Sequence, residues 1–227
     1  MHSRSDAADM GQLFRKRANA IARLTVVGIP LIIIGVSGCF YAFARSSFWT
    51  KVDAPVEQPV PFSHKHHVGD DGIDCRYCHT SVENSAFAGV PPTETCMTCH
   101  SQIWKDAPVL QPVRDSWQTG APIKWVRVHD LPDYVYFDHS IHVNKGVGCA
   151  TCHGQVNEMP LTFKTQELYM RWCLNCHRHP QQFLRPKSEV VSMDYRAPSD
   201  QLTLGQRLLK QNNVHTAGLT DCYTCHR

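Results

Sequence analysis

The chain has 227 residues, 42% of them apolar, and a formal net charge of +3 at pH 7, which suits one domain of moderate size. Eleven cysteines are far too many for an ordinary cytoplasmic enzyme. The first 44 residues carry five Lys/Arg and two Asp/Glu, whereas the remaining residues carry 18 of each. The larger part therefore has no basic excess, and nucleic acid is not predicted as a partner.

The N-terminal region contains one long apolar segment. Leu24 to Ala44 holds 21 residues without a charged side chain, which is long enough to span a bilayer. Of the five basic residues before the segment, four lie close to it: Arg15, Lys16, Arg17 and Arg23. The positive-inside rule then predicts a cytoplasmic tail at residues 1–23, an anchor at 24–44 and an exported remainder.

Two other interpretations of this segment compete with the anchor. Ala42-Phe43-Ala44 resembles a signal-peptidase site, and residues 36–39 loosely resemble a lipoprotein box that would acylate Cys39. The apolar stretch exceeds a usual signal h-region, which favours an uncleaved anchor. Acylation of Cys39 stays open.

A proline-containing linker is predicted at residues 45–61, and an internal repeat follows it. The repeat is F-S-H-K-H-H-V at residues 62–68 and F-D-H-S-I-H-V at residues 137–143. Each copy precedes a cysteine pair by about a dozen residues or fewer, and a second pair lies 21 or 24 positions further on. The chain therefore reads as two modules, at residues 62–104 and 137–180, with an additional tail.

Ten cysteines form five pairs, and a histidine follows each pair directly. The five motifs are Cys75/Cys78/His79, Cys96/Cys99/His100, Cys149/Cys152/His153, Cys173/Cys176/His177 and Cys222/Cys225/His226. C-x-x-C-H is the attachment signature of c-type haem, in which the thiols bind the porphyrin and the histidine binds iron. Disulfides do not explain the histidines, and zinc sites use other spacings. The sequence therefore predicts five covalently bound haems c, two in each module and a fifth at residues 215–227.

The predicted fold class is a multihaem cytochrome c with a haem-dominated core, short helices, much irregular structure and one N-terminal transmembrane helix. Short helices are predicted at the haem motifs, for instance Gln166–Arg178. Another is predicted from Pro198 to Lys210 with Ser199 as its N-cap, and Val126 to Phe137 is expected to be extended.

The repeat also predicts the second axial ligands of four irons. His64 aligns with His139 and His67 with His142, whereas His66 aligns with Ile141. A histidine pair repeated ahead of haem motifs favours ligation, because two histidines three residues apart can reach two neighbouring haems. His64, His67, His139 and His142 are therefore predicted ligands, and His66 a bystander.

The fifth distal ligand is less determined. His129 is the first choice, His215 the second, and Met159 or Met170 the thioether alternative, which would raise the reduction potential. His179 is expected to be exposed. Because histidines suffice for every sixth position, an open iron for substrate chemistry is not expected.

Several motifs resemble those of one known family. These are P-F-S-H-K-H-H, C-R-Y-C-H, P-P-T-E-T-C-M-T-C-H, W-V-R-V-H-D-L-P-D-Y-V-Y-F-D-H and C-A-T-C-H-G. They are similar to the pentahaem cytochrome c subunits of bacterial alternative complex III, and F-x-H-x-x-H is shared more broadly with cytochromes c3 and c7. The resemblance implies an electron-transfer subunit of a quinol-oxidising complex at the bacterial inner membrane, with the haem domain in the periplasm.

The same resemblance implies the partners. They are an iron–sulfur/molybdopterin-like subunit, polytopic membrane subunits with the quinol site, and a monohaem cytochrome c or a terminal oxidase as acceptor. The apolar segment has no acidic or basic residue and no histidine to deprotonate a quinol, which also favours partners. A freestanding quinol dehydrogenase, with a displaceable ligand at the haem of His79 or His100, is the alternative; a multihaem reductase with an open iron is a third.

Overall fold

The computed structural model describes residues 16–226. Two compact units meet in sequence at residues 50 and 51. The first unit contains helix α1, Lys16–Arg45, and the short helix α2, Ser47–Thr50. The predicted tail falls largely on residues 1–15, which lie outside the described residues.

Helix α1 includes the apolar segment found in the sequence and extends it at the N-terminal side. Its apolar side chains are exposed, and Arg17–Arg45 is long and apolar enough to cross a membrane. An anchor and a signal sequence both fit such a helix near the N-terminus. The hydroxyl of Thr25 donates to the carbonyl of Ala22 at 3.0 Å, so the polar group of Thr25 is satisfied within the helix.

The second unit is built from short helices joined by irregular segments. These helices are α3 Cys75–Cys78, α4 Thr93–His100, α5 Gln111–Thr119, α6 His139–Lys145, α7 Cys149–His153, α8 Met170–Arg178, α9 Gln201–Gln211 and α10 Cys222–Cys225. Single turns of π-helix at Lys65–Asp70 and of 3₁₀-helix at Pro108–Leu110, Val156–Glu158, Pro180–Gln182 and Lys187–Glu189 lie between them. Every haem motif begins or lies within a helix, which confirms the prediction of short helices there.

Residues 16–226 form no strand. Three isolated bridges join Val52 with Lys164, Val135 with His226 and Val147 with Leu184. The predicted extended segment Val126–Phe137 is therefore irregular apart from the bridge at Val135. The architecture predicted from the sequence, short helices with much irregular structure and one N-terminal apolar helix, is confirmed.

Two helix boundaries differ from those expected. Helix α8 begins at Met170 rather than Gln166, because Leu168 adopts a positive φ of 56° that interrupts a helix. Helix α9 begins at Gln201 after Asp200. Ser199 is therefore not its N-cap, and Asp200 makes no capping hydrogen bond through its side chain.

The segment predicted as a linker is attached to the second unit from residue 51 onward. The amide group of Asp53 donates to the carbonyl of Lys164 at 2.8 Å. The side-chain amide of Gln58 donates to the carbonyl of Val126 and accepts from its N–H, both at 2.8 Å. Hydrogen bonds paired in this way take the place of those between two adjacent strands. Residues 51–61 therefore pack on the second unit, and we call this segment the strap.

The conventional core of the second unit is small. Val60, Leu110 and Val113 are buried together, with Met97 and Trp125 among the partly buried residues around them. No large side chain in the described part is less than 2% exposed. Most apolar side chains of this unit instead face one large cavity.

Candidate haem-binding cavity

One cavity of about 1970 Å³ is enclosed by the second unit. Its lining includes both cysteines and the histidine of each of the five C-x-x-C-H motifs. A typical small-molecule pocket measures roughly 300–1,000 Å³, so this cavity has room for a group much larger than one ordinary ligand. The five motifs, numbered first to fifth in chain order, therefore share one site.

Four motif histidines each face a histidine of the repeat. The ring-centroid separations are 6.5 Å for His64–His79, 6.1 Å for His67–His100, 6.3 Å for His139–His153 and 6.1 Å for His142–His177. An imidazole–metal bond of about 2.0–2.1 Å on each side, added to the distance from nitrogen to ring centre, predicts a separation of roughly 6.3 Å. Each pair therefore has room for one metal ion between its rings.

Nδ1 is hydrogen-bonded in seven of these eight rings, and also in the ring of His226. Seven Nδ1–H groups donate to backbone carbonyls at 2.6–3.1 Å. The donor and acceptor residues are His67 and Ser63, His79 and Gly89, His100 and Ile103, His139 and Ala86, His142 and Asp138, His177 and Leu219, and His226 and Tyr134. His64 Nδ1 lies 2.9 Å from the hydroxyl of Thr162. A bonded Nδ1–H leaves the lone pair of Nε2 for a metal. Sequence analysis missed these acceptors, because a backbone carbonyl carries no residue signature.

The phenylalanine that opens each repeat packs on both of its histidines. Phe62 meets His64 edge-on at 4.9 Å and stacks on His67 at 4.4 Å. Phe137 contacts His139 and His142 in the same two ways, at 4.7 and 4.6 Å. The recurrence of phenylalanine in F-x-H-x-x-H was the sequence signal for this packing, which fixes the orientation of the imidazole rings.

Burial disfavours the charged form of three of the paired imidazoles. It lowers the pKa of His64 to about 4 and that of His153 to about 3, and it lowers the pKa of His142 as well. Burial also raises the pKa of the Cys152 and Cys176 thiols to about 12 and about 11. Desolvation disfavours the charged form of each group, so the rings carry the lone pairs that a metal requires and these thiols stay protonated.

The fifth motif is held differently. The N–H of Tyr136 donates to the carbonyl of Cys225 at 2.8 Å, and the ring of Tyr134 lies 5.9 Å from that of His226. Within residues 16–226 no histidine ring faces His226. The sequence had favoured His129 as the fifth distal ligand. The ring centroid of His129 lies 4.3 Å from that of His153, which belongs to the third motif.

The other candidates for the fifth ligand are separated by their surroundings. His215 and His179 are exposed and do not line the cavity. Met159 is 3% exposed and also lies outside the lining, whereas Met170 is 57% exposed and lines it. His66 is exposed. Its ring stacks on that of Trp104 at 5.7 Å between centroids and lies edge-on to that of His67 at 5.4 Å.

Four approaches between cysteines connect the motifs. Cys75 of the first motif lies near Cys149 of the third. The remaining approaches bring Cys78 near Cys96, Cys152 near Cys176 and Cys173 near Cys225. In space the motifs therefore follow the order second, first, third, fourth, fifth.

The donor set fits haem. All eleven cysteines lie in the described part and none is in a disulfide, and residues 16–226 contain no cluster of three or more His, Cys, Asp or Glu side chains that would hold a metal ion unaided. The donors instead come as two opposed imidazoles beside two thiols. Haem contributes the four remaining nitrogens to the iron, so this arrangement suits covalently bound c-type haem.

Comparisons with known proteins point the same way. Residues 135–227 match the family model of cytochrome c7 and related cytochrome c. The chain is 40% identical over 126 residues to the multihaem cytochrome c subunit of a menaquinone reductase from Nitratidesulfovibrio vulgaris. That match covers 55% of this chain, and the chain spans 56% of the length of this relative.

Proposed function

We propose that this multihaem cytochrome c binds five haems and relays electrons as a subunit of a quinol-oxidising membrane complex similar to alternative complex III. The observation that carries the proposal is the set of four opposed imidazole pairs, 6.1–6.5 Å apart, in one cavity that all five motifs line. Covalently held haem supplies an iron that takes up and returns one electron.

The residues of the chain hold these groups in place. Each cysteine pair fixes one porphyrin, and the histidine next to it provides one axial nitrogen. His64, His67, His139 and His142 provide the second nitrogen at the first, second, third and fourth motifs. Carbonyl and hydroxyl acceptors at Nδ1 fix the tautomer and strengthen the ligands.

The order of the motifs in space supports a relay. Neighbouring motifs approach each other through their cysteines, from the second motif at one end to the fifth at the other. Two imidazoles at each of four irons would leave no position for a substrate at those four. Electron transfer along a row therefore fits better than catalysis on iron.

The quinone is expected to bind to partner subunits. The relative in Nitratidesulfovibrio vulgaris is named as a subunit of a menaquinone reductase, and residues 24–44 contain no Asp, Glu, Lys, Arg or His. The proposed partners are an iron–sulfur/molybdopterin-like subunit, polytopic quinol-site subunits, and a monohaem cytochrome c or terminal oxidase. We place the haem domain in the periplasm and the N-terminus in the cytoplasm.

The name of the relative favours a second candidate, in which electrons run towards menaquinone. The same row of haems serves both directions, because a relay conducts according to the potentials at its ends. A freestanding quinol dehydrogenase is the remaining alternative. The three functions differ in partners and in the reaction of the isolated complex.

Purification from native membranes in mild detergent separates them. Haem-stained bands on native gels are identified by mass spectrometry, and quinol oxidation and menaquinone reduction are both assayed. We expect co-migration with an iron–sulfur subunit and polytopic subunits, with quinol oxidation. Net menaquinone reduction by the same assembly would support the second candidate, and activity of the chain alone would overturn the subunit proposal.

A further inference from the structure

The two modules exchange contacts at one equivalent position. His139 of the second module donates from Nδ1 to the carbonyl of Ala86 in the first module at 2.8 Å. His64 of the first module lies 2.9 Å from the hydroxyl of Thr162 in the second module, 98 positions further along the chain. Each module therefore provides the hydrogen-bond partner of Nδ1 for the first repeat histidine of the other module.

The segment that carries Thr162 is fixed by backbone contacts. The N–H of Lys65 donates to the carbonyl of Met159 at 3.0 Å, and the N–H of Val56 donates to the carbonyl of Thr162 at 3.3 Å. A Cβ atom on Gly69 would collide with the carbonyl of Asn157, so the turns Lys65–Asp70 and Val156–Glu158 lie in direct contact. The hydroxyl of Thr162 is thus presented to His64 by a fixed backbone.

Thr162 differs in kind from the other acceptors. In the described part, the Nδ1 partners of the seven other bonded ring histidines are backbone carbonyls. The partner of His64 is a hydroxyl, a weaker acceptor that a substitution can remove without moving the backbone. His64 is partly buried, so lost hydrogen bonding there is costly.

We propose that Thr162 is a positioning residue for the first haem. It accepts from Nδ1–H of His64, fixes the tautomer and ring plane of this ligand, and so sets its donor strength to iron. The second module thereby tunes the reduction potential of a haem in the first module. This inference rests on the proposed function, specifically on His64 as an axial ligand.

The test compares three variants of the full haem-loaded chain. Thr162→Val removes the acceptor at nearly constant volume, and Thr162→Ser retains it. Thr165→Val is the matched control, because the hydroxyl of Thr165 is buried with no hydrogen-bond partner. Redox titration followed by visible absorption gives the midpoint potentials, and electron paramagnetic resonance of the oxidised protein gives the signal of each low-spin iron.

We expect Thr162→Val to raise the midpoint potential of one haem and to change one low-spin signal, because a weaker ligand stabilises ferric iron less. Thr162→Ser should retain the native values, and Thr165→Val should leave all haems unchanged. If Thr162→Val does not accumulate, Thr162→Ala removes the same acceptor. An equal shift at several haems, or none, would overturn the positioning role.

A His64→Met variant distinguishes the role of His64 as an iron ligand from the role of Thr162 in positioning it. If it alters one haem while Thr162→Val and Thr162→Ala alter none, ligation by His64 stands and the role of Thr162 fails. If His64→Met leaves every low-spin signal and every potential unchanged, the assignment of His64 as a ligand fails, and the proposal for Thr162 fails with it.

Discussion

The paired histidines are suited as individual residues to binding a metal. Burial lowers the pKa of His64 and His153 far below neutrality, so both rings are neutral at pH 7. The ring centroids of His64 and His79 lie 6.5 Å apart and those of His139 and His153 lie 6.3 Å apart, a separation that suits one metal ion between two imidazoles.

The repeat provides a test at two neighbouring histidines. His67→Gly removes the ring that faces His100 at 6.1 Å, so we expect the second haem to lose its low-spin signal and to bind carbon monoxide when reduced. His66→Ile installs the residue that the second repeat has at the aligned position. This control should keep every low-spin signal, and carbon monoxide binding by the His66 variant alone would contradict the assignment.

Gly89 is a second residue whose conformation supports a ligand. Its φ is +81°, its carbonyl accepts from Nδ1 of His79 at 2.6 Å, and an added Cβ would lie 2.8 Å from the hydroxyl of Ser81. We expect Gly89→Ala to change the electron paramagnetic resonance signal of the first haem and to cost at least the roughly 1–2 kcal/mol of left-handed backbone.

Gly72→Ala is the matched control for that substitution. Gly72 has a φ of +68° but nothing within 4 Å of an added Cβ, so it should show the backbone cost without the spectral change. Chemical denaturation and spectra of both variants provide the comparison. Equal spectra for the two variants would show that the carbonyl of Gly89 does not influence the iron.

At the scale of elements, the two copies of the repeat fold into different helices. The second copy forms α6. Asp138 is its N-cap, and the Asp138 carboxylate accepts from the N–H of Ser140 at 2.8 Å. Gly146, which has a φ of +93°, is its C-cap. The first copy forms a single π-helical turn, Lys65–Asp70. Both keep the phenylalanine against its two histidines, so ring packing is retained where helix type is not.

Helix α9 stabilises the third and fourth motifs from outside the cavity. It packs on the turn Pro180–Gln182, and a Cβ on Gly205 would collide with the carbonyl of Gln181. Asn212, just after the helix, donates from its side-chain amide to the carbonyl of Lys145 at 3.0 Å. The helix therefore fixes α6 through its end.

Gly205→Ala should separate helix α9 from this turn. Overpacking of this kind costs about 1–3 kcal/mol, so we expect a lower midpoint of unfolding in denaturant for the haem-loaded protein. Thr203→Ala, at an exposed position of the same helix, is the control and should change stability little. A Gly205→Ala protein as stable as the Thr203→Ala variant would show that the turn Pro180–Gln182 can move away from the helix without loss of stability.

At the scale of the whole molecule, one measurement covers the anchor and the number of haems. Intact mass spectrometry of protein extracted from membranes should give the mass of an uncleaved chain with five haems. An uncleaved helix α1 resists alkaline extraction, because its exposed apolar side chains require lipid. A soluble chain shortened near Ala44 would indicate a signal sequence, and an added acyl mass would locate lipid at Cys39.

The sequence by itself determined the chemistry, because covalent attachment is local. Two cysteines and a histidine within five residues form the attachment signature of c-type haem, and the F-x-H-x-x-H repeat identified four histidines that the fold brings opposite motif histidines. The apolar helix was equally apparent, since a run of uncharged residues is sufficient to define it.

The tertiary structure decided which groups meet. The acceptor of His64 lies 98 residues away and that of His139 lies 53 residues away, and most acceptors are backbone carbonyls that any residue supplies. The order of the motifs in space, the attachment of the strap and the position of His129 beside His153 likewise depend on how distant segments pack. Local sequence does not specify them, because packing is decided by contacts between segments that are distant in the chain.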